Sequence, residues 1–498
     1  MCPSSIKTIS LQNYKEVLEV KEKAIKGGGA LLLRQLGVHL INIVGNIVLA
    51  RILIPEDFGV YAIVTFLINF LVLFGDVGLG ASLIQRTQEP TNKEIRSIFT
   101  FQQIVNSVIV IFAFIISPLI VKHYHLKDDA VWMIRLMVLT LILVSFRSMS
   151  AARIQRSLKF SRLVLVEIIE SIGFQIATIT LASLGFGAWS FIIGTIVKSI
   201  FGASLLLLIS PWPIGVAWDW AVIKTVIKFG IPYQGVNFVA LIKDAINPIL
   251  IGTLLGTSSV GYVTWATMLA GYPVLATSIL HRLFFPTFSR LKNEREALSV
   301  AIEKVLRWNN IFVLSILAIL ITQAHEITEI VFGSKWLPAL PLVYFLSFGD
   351  MFACSIPLMA LLNALGKSHL NFIFTLIWML SIWIFGYPLI KAYGLKGYGV
   401  AHMIIQFTNF IFYWKVKRLL SFRMLRMVFP SIGAFALAIL FTFWLKNLVN
   451  IANPVTIILV ALATLGIYCG GLFLFSGKML VSEGMSLLKV LKGVSLTA

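Results

Sequence analysis

Charge is scarce in this chain. Only 12% of its 498 residues are charged, and 21 of them are acidic. A soluble globular protein carries about 25% charged residues. Half that share cannot cover a 55.4 kDa particle in water, which excludes a cytosolic enzyme, a secreted domain and a disordered chain. Cysteine is almost missing. Cys2, Cys354 and Cys469 form neither a metal spacing nor a disulfide framework. There is no GxxxxGK[ST] loop, no GxGxxG after a strand, no HExxH and no GxSxG. No cofactor, no metal and no nucleotide-driven step is therefore expected, and energy would come from an ion gradient or from the substrate's own gradient. No polar connection exceeds about 30 residues, whereas a folded domain needs about 50. Any function must reside in the apolar bundle, and the chain is not expected to be an enzyme.

What is abundant is long apolar sequence: 58% of residues are hydrophobic, and the mean hydropathy is +0.93. A spanning helix needs roughly 20 apolar residues. That ruler marks 29–53, 58–85, 97–121, 131–147, 161–184, 187–210, 229–255, 258–285, 305–331, 338–365, 369–391, 396–415, 427–449 and 453–476. The predicted fold is an all-α polytopic membrane protein of about fourteen transmembrane helices. Transmembrane strands would be shorter and would alternate in polarity.

Lysine and arginine number 41, giving a net charge of +20. They gather in alternate short connections, above all 147–162 and 415–426. That is the pattern of topology signals, not of a nucleic-acid interface, and it places both termini in the cytoplasm. Residues 1–28 are polar and mixed in charge, and the apolar run after them is too long for a cleavable signal, so they read as a cytoplasmic lead-in. The clusters Arg153, Arg156, Lys159, Arg162 and Lys415, Lys417, Arg418, Arg423, Arg426 are topology determinants and candidates for lipid headgroups. Trp212, Trp218 and Trp220 beside Lys224 and Lys228 suggest an interfacial helix.

The chain repeats weakly. "LIPEDFGVYAIV" after the first run aligns with "LGTSSVGYVTWA" after the seventh, setting Gly59 over Gly261. "GFGAWSF" (185–191) aligns with "LKGYGVA" (395–401). An even helix offset gives both copies the same topology, related by an axis along the membrane normal. The expected organisation is a lobe of six helices over 29–210, an interfacial linker over 211–228 and a second lobe of six over 229–426. Two C-terminal helices (427–476) and a cytoplasmic tail (477–498) follow. Two lobes facing a shared wet cleft make a rocking transporter.

Charges inside spans carry the functional information, because each costs at least about 2.5 kcal/mol at the bilayer centre. They are Arg34, Asp76, Arg135, Glu167, Glu170, Lys198, Lys243, Asp244 and Asp350. Arg34 and Asp76 flank the first turn at depths within about 3 Å of each other, as a gating or substrate-binding pair or a structural lock. Glu170 and Lys198 flank the turn near residue 186 at depths within about 6 Å, and Glu167 lies one turn from Glu170. This group reads as a cation-coupling site or as a network in the bundle interior. Lys243 and Asp244 are adjacent, so at least one must line a cavity or an interface. Asp350 is a cavity acid or satisfies a helix bend. His39, Asn42 and Asn46 follow Arg34 at helical spacing, as a wetted face or as interhelical hydrogen bonds.

Seven strings in order carry a family resemblance: "LARILIPEDFGVYAIV", "GDVGLGASLIQR", "RIQRSLKFSRLVLVE", "GFGAWSF", "LIGTLLGTSSVGYVTWA", "HRLFFPTFSRLKN" and "FGSKWLPALPLVYFLSFGD". Together they resemble the polysaccharide transporter (Wzx-type) flippases of the MOP exporter superfamily, over residues 30–420. The resemblance implies two lobes, fourteen helices and a cationic cavity. It also implies an alternating-access flippase that turns an isoprenoid-diphosphate-linked oligosaccharide outward, by proton or sodium antiport, for cell-surface polysaccharide biosynthesis. It places the protein in the bacterial inner membrane, with the lipid-linked anionic glycan, membrane lipids and the polysaccharide polymerase machinery as partners. Arg34, Lys243, Lys198 and Arg135 are the candidates for binding the diphosphate. Asp76, Asp244, Glu167, Glu170 and Asp350 are those for ion coupling or gating. Such flippases carry an arginine and then an aspartate ahead of "LLIG" in the seventh span. Here the stretch reads "KDAINPILIG", with Asn247 in the aspartate's place, so a carboxylate role there would rest on Asp244. The alternatives are a small-molecule or multidrug exporter of the same superfamily, with a less cationic and more aromatic cavity, and a membrane scaffold or glycan-processing enzyme. Cysteines introduced one at a time into 147–162 and 415–426 should react with impermeant maleimide only from the cytoplasmic side. Labelling from outside intact cells would overturn this topology.

Overall fold

The computed structural model describes residues 37–75, 89–157, 160–352, 355–449 and 451–495. Among them all regular structure is helical: α1 (Gly37–Ile52), α2 (Pro55–Gly75), α3 (Asn92–His123), α4 (Ala130–Arg156), α5 (Phe160–Ser183), α6 (Trp189–Ile209), α7 (Trp220–Asp244), α8 (Thr257–Leu291), α9 (Arg295–Glu326), α10 (Leu340–Asp350), α11 (Ser355–Ala364), α12 (Ser368–Gln406), α13 (Thr408–Lys417), α14 (Met424–Lys446) and α15 (Pro454–Ser495). One π-helical stretch, Ile246–Ile251, follows α7, and another, Ile327–Phe332, follows α9.

Local chemistry sets several starts. Pro55 opens α2, where its missing N–H leaves no bond unmade, and Glu56 and Asp57 face the positive end of the helix. Asp57 Oδ2 accepts from the Ile54 N–H at 3.1 Å. Ahead of α3, Thr91 and Glu94 form a capping box. Glu94 N–H donates to Thr91 Oγ1 at 3.3 Å, and Thr91 N–H donates to Glu94 Oε2 at 2.7 Å.

Ten helices among the described residues are long and apolar enough to cross a membrane, with Gly37–Ile52 as a shorter apolar one. The fourteen expected runs are not all counted separately, and one of the four left out is 258–285, which lies inside α8. The predicted run 338–365 is divided between α10 and α11. The runs 369–391 and 396–415 merge into one helical stretch, Ser368–Lys417. It turns at Gly394, whose φ of +59° and ψ of −135° interrupt the helix. The first run begins outside the described residues.

The chain divides into two compact units, Met1–Ile52 with Leu67–Asn237, and Leu53–Phe66 with Phe238–Ala498. Within the first, the linker departs from expectation. Residues 211–219 form neither helix nor strand, and the helix begins at Trp220. Pro211 and Pro213 lack donors and disfavour helical geometry in the residues before them. The preceding Ser210 has φ −139° and ψ 71°.

The second unit contains the aligned glycines. They face each other where the first turns of α2 and α8 cross. A Cβ on Gly59 would lie 1.9 Å from the Thr257 carbonyl oxygen, and one on Gly261 would lie 1.8 Å from that of Pro55. The contact is reciprocal, each glycine meeting the carbonyl near the start of the other helix. Trp336, fully buried, seals it. Its ring lies 5.1 Å from that of Phe58, 6.2 Å from Tyr262 and 5.1 Å from Trp265. Lys335 Nζ donates to the Leu53 carbonyl at 2.6 Å. The C-terminal helices α14 and α15 pack on α9 in the same unit. Lys446 Nζ bonds Glu326 Oε1 at 2.6 Å and the Thr322 carbonyl at 2.8 Å, and Tyr468 Oη donates to the Ile311 carbonyl at 3.1 Å.

Gly59→Ala or Gly261→Ala should each destabilise the protein by about 1–3 kcal/mol, because the obstacle is backbone. The second substitution should add less than the first, since one separation of the helices relieves both clashes. Thermal unfolding in detergent checks this, and wild-type melting of either variant would contradict the crossing.

Candidate functional sites

Each unit holds a partly open cavity that several polar and charged side chains line among its apolar helices. In the first unit a cavity of about 460 Å³ is lined by Arg147 of α4, Glu167, Glu170 and Ser171 of α5, and Thr195, Lys198 and Ser199 of α6, with Val38 and Asn69 closing it. Its anchor is a two-pronged ion pair. Arg147 Nε donates to Glu170 Oε1 at 2.9 Å and Nη2 donates to Oε2 at 3.1 Å. The Glu170 side chain is 3% exposed and the Arg147 side chain 41%. Gly202 makes the room. A Cβ there would lie 1.9 Å from Glu170 Oε1. A forked guanidinium–carboxylate pair fixes geometry as well as charge.

The expected Glu170–Lys198 contact is therefore replaced by Glu170–Arg147. Lys198 lines the same cavity with its Nζ 5.9 Å from the Phe174 ring centre. Arg147 escaped the sequence reading because it stands where the fourth apolar run gives way to a basic cluster, and it was counted with that cluster. Its position three turns inside the end of α4 is the signal that identifies it.

Arg135 lines neither cavity described here. Pro118 sits inside α3 and leaves the Phe114 carbonyl without its helical donor. Ser117 Oγ donates to that carbonyl at 3.0 Å and Arg135 Nη2 at 3.2 Å, while Arg135 Nε donates to Ser117 Oγ at 3.2 Å. The guanidinium lies between Phe114 and Trp132, 5.4 and 5.1 Å from their ring centres. Its visible work is the repair of a proline-broken helix. The stripe on α1 likewise makes an interhelical bond, with Gln175 Nε2 donating to Asn42 Oδ1 at 3.3 Å. Arg34 and Asp76 lie outside the described residues.

In the second unit a cavity of about 540 Å³ is lined by Lys243, Asp244 and Asn247, by Thr264 and Thr267 of α8, by Asp350 of α10, by Tyr398, His402 and Gln406 of α12, and by Asn409 of α13, among others. Lys243 Nζ lies 2.6 Å from Asp244 Oδ1. Neighbours on a regular helix diverge by about 100°, and here α7 ends at this pair and continues as a π-helical stretch. Such insertions are frequent at functional sites. The Trp383 indole supports the break by donating to the Ile242 carbonyl at 2.9 Å. Asn247 Nδ2 donates to Thr264 Oγ1 at 3.1 Å, and Asn409 Nδ2 to Gln406 Oε1 at 2.8 Å. The Oδ1 atoms of both asparagines and His402 Nδ1 are buried without a hydrogen-bond partner. His402 packs on Gly349, where a Cβ would meet its ring at 2.9 Å. The cavity thus offers one ammonium, two carboxylates and several unused acceptors. His402 and Asn409 were missed in the sequence because neither is formally charged.

Removing Arg147 strands a buried carboxylate, while removing both partners does not. Arg147→Met should destabilise the protein by about 3 kcal/mol, and Arg147→Met with Glu170→Met should recover most of that loss. Urea or thermal titration of the three proteins checks it, and a double variant no more stable than the single would contradict the pair as drawn.

Residues 48–341 match the family described as polysaccharide biosynthesis protein. The succinoglycan biosynthesis transport protein ExoT of Rhizobium meliloti (strain 1021) is 24% identical over 331 residues, covering 66% of either chain. The lipopolysaccharide biosynthesis protein WzxC of Escherichia coli (strain K12) is 22% identical over 405 residues, covering 79% of this chain and 80% of that one. Among solved structures, the lipid II flippase MurJ in an inward closed conformation has a TM-score of 0.72 at 14% identity, covering 90% of this chain and 99% of that one. At that identity the likeness speaks for the fold alone, a multi-span helical bundle. With a family match over more than half its 498 residues, this chain belongs to the polysaccharide biosynthesis protein family.

Proposed function

We propose that the protein is a non-enzymatic flippase of the bacterial inner membrane. It carries an isoprenoid-diphosphate-linked oligosaccharide from the cytoplasmic to the outer leaflet by alternating access. One observation carries the reading: each unit holds cations inside the bundle, Arg147 and Lys198 in one cavity and Lys243 in the other. A charge in the hydrocarbon is expensive, and such residues mark substrate and ion paths. Each cavity also supplies the neutralising acid, Glu170 or Asp244. A diphosphate arriving at such a pair exchanges one anionic partner for another, so the ammonium or guanidinium never stands bare.

The names of the relatives, a succinoglycan transport protein and a lipopolysaccharide biosynthesis protein, support a glycan cargo made at the membrane. Lys243 and Lys198 are the proposed diphosphate contacts, joined by Arg34 and by the newly recognised Arg147. Asp244 and Asp350 are the proposed coupling acids, and an ion or proton taken up there when the substrate leaves would bias the return step. Glu167, Glu170 and Asp76 are proposed to gate. Delivery to a polymerase outside would complete the path.

In cells lacking this protein, lipid-linked glycan should accumulate on the cytoplasmic leaflet, and wild type should restore export. A lost charge-assisted contact is worth about 1.5–3 kcal/mol, so Lys243→Ala should lower export about ten- to a hundred-fold, while Lys243→Arg keeps most of it. Normal surface glycan in a strain without any second flippase would overturn the proposal.

A further inference from the structure

The stretch between α6 and α7 has a feature that transport does not explain. Residues 211–219 form neither helix nor strand, and exposure alternates from Pro213 to Trp220. Ile214, Val216, Trp218 and Trp220 all point outward, 54%, 87%, 52% and 58% exposed. Trp218 and Trp220 stack, with ring centres 6.3 Å apart and planes 13° from parallel. This is strand periodicity without a partner strand, and it displays a row of apolar side chains.

The ribbon is held in place. Trp212 is buried between Phe99 and Phe146, 4.7 and 6.4 Å from their ring centres. Arg96 Nε donates to the Pro213 carbonyl at 3.2 Å, Arg153 Nη1 to that of Pro211, and Arg162 Nη1 to that of Ile209 at 3.4 Å. Thr100 Oγ1 accepts the Ala217 N–H at 3.3 Å. Three arginines therefore satisfy carbonyls that a helix would have satisfied itself. Lys93, Lys224 and Lys228 add exposed positive charge around the ribbon. The acid within it is already occupied. Asp219 caps α7 at the Ala221 and Val222 N–H groups and meets Lys93 Nζ at 3.4 Å.

We propose that residues 211–220 form an interfacial wedge that docks on anionic phospholipid headgroups of the cytoplasmic leaflet. Ile214, Val216, Trp218 and Trp220 enter the headgroup–acyl boundary, and the surrounding Lys and Arg side chains meet lipid phosphates. The occupant follows from position and charge. The ribbon leaves a candidate span at Ile209 and precedes the next at Asn237, so it runs along the membrane boundary. Tryptophan favours that depth, and each lysine or arginine near an anionic leaflet gains about 1 kcal/mol. The apolar row supplies burial that water cannot, and the cations select negative lipid over neutral.

The test uses the full-length protein in nanodiscs, with Cys2, Cys354 and Cys469 replaced by serine and a nitroxide at Val216→Cys. The label should collide more often with oxygen than with a water-soluble nickel complex, and the same label at Ala217→Cys should show the lower oxygen access of an inward position. In a second arm, native mass spectrometry compares retention of phosphatidylglycerol with phosphatidylcholine. Lys224→Gln and Lys228→Gln touch neither the backbone clamps nor the cavities, and each should reduce the preference for phosphatidylglycerol about five-fold. A label at 216 dominated by the nickel complex would overturn the wedge. So would one shielded from both colliders, as under a protein partner. Equal retention of the two lipids by wild type would overturn the headgroup contact.

Discussion

In hydrocarbon a charge must bring its partner with it. That constraint organises the whole molecule. An isolated ion there costs several kcal/mol after every relaxation the protein can make, and two of the cavity charges, Glu170 and Lys243, have a counter-charge built in. Glu170 is gripped by both prongs of Arg147, with Gly202 hollowed out to admit the carboxylate. Lys243 reaches its own neighbour, Asp244, at the point where α7 loses regularity. On the proposed reading, a site for an anionic headgroup needs cations that tolerate its absence, and the carboxylates Glu170 and Asp244 beside Arg147 and Lys243 would meet that need. The buried pair is weak evidence for stability, since well-packed apolar residues would serve as well or better. Its presence in a cavity is what points to binding.

The backbone obeys the same rule. Non-helical chain at membrane depth survives only where its polar groups find partners. Pro118 frees the Phe114 carbonyl, and Arg135 with Ser117 takes it up. The π-helical stretch after α7 is braced by Trp383. The non-helical ribbon after α6 lends its carbonyls to three arginines. A basic residue near a proline in this protein is thus as much a backbone device as a charge. The Gly59–Gly261 crossing is the opposite case, where removing side chains lets two helix starts approach until carbonyl oxygen meets Cα.

Most of the architecture was legible because length and apolarity suffice to mark a spanning helix. The two glycines aligned in the sequence, Gly59 and Gly261, are in contact. The break at Gly394 falls between the predicted runs 369–391 and 396–415, whereas the end of α10 at Asp350 and the start of α11 at Ser355 lie inside the predicted run 338–365 and were not legible in uniformly apolar sequence. The linker was expected as a helix because its tryptophans and lysines suit one, yet two prolines in three residues decide otherwise. Pairing was the least readable property. Depth arithmetic set Lys198 opposite Glu170, but depth says nothing about which helix lies alongside, and Arg147 on α4 was nearer. Arg135 was expected as a substrate residue, and its contacts with Ser117 and the Phe114 carbonyl beside Pro118 could not be read from the sequence. His402 and Asn409 carry their information in burial and unused hydrogen-bonding capacity, neither of which a sequence displays.

The proposed transporter would discriminate by charge at the headgroup, with resident carboxylates as placeholders for the diphosphate. The most direct measurement uses purified protein in proteoliposomes with a fluorescent isoprenoid-linked oligosaccharide in two forms, one joined by a diphosphate and one by a neutral linker of equal length. The account predicts that the diphosphate form is translocated and that the neutral form is left in its leaflet. Equal movement of both would contradict it.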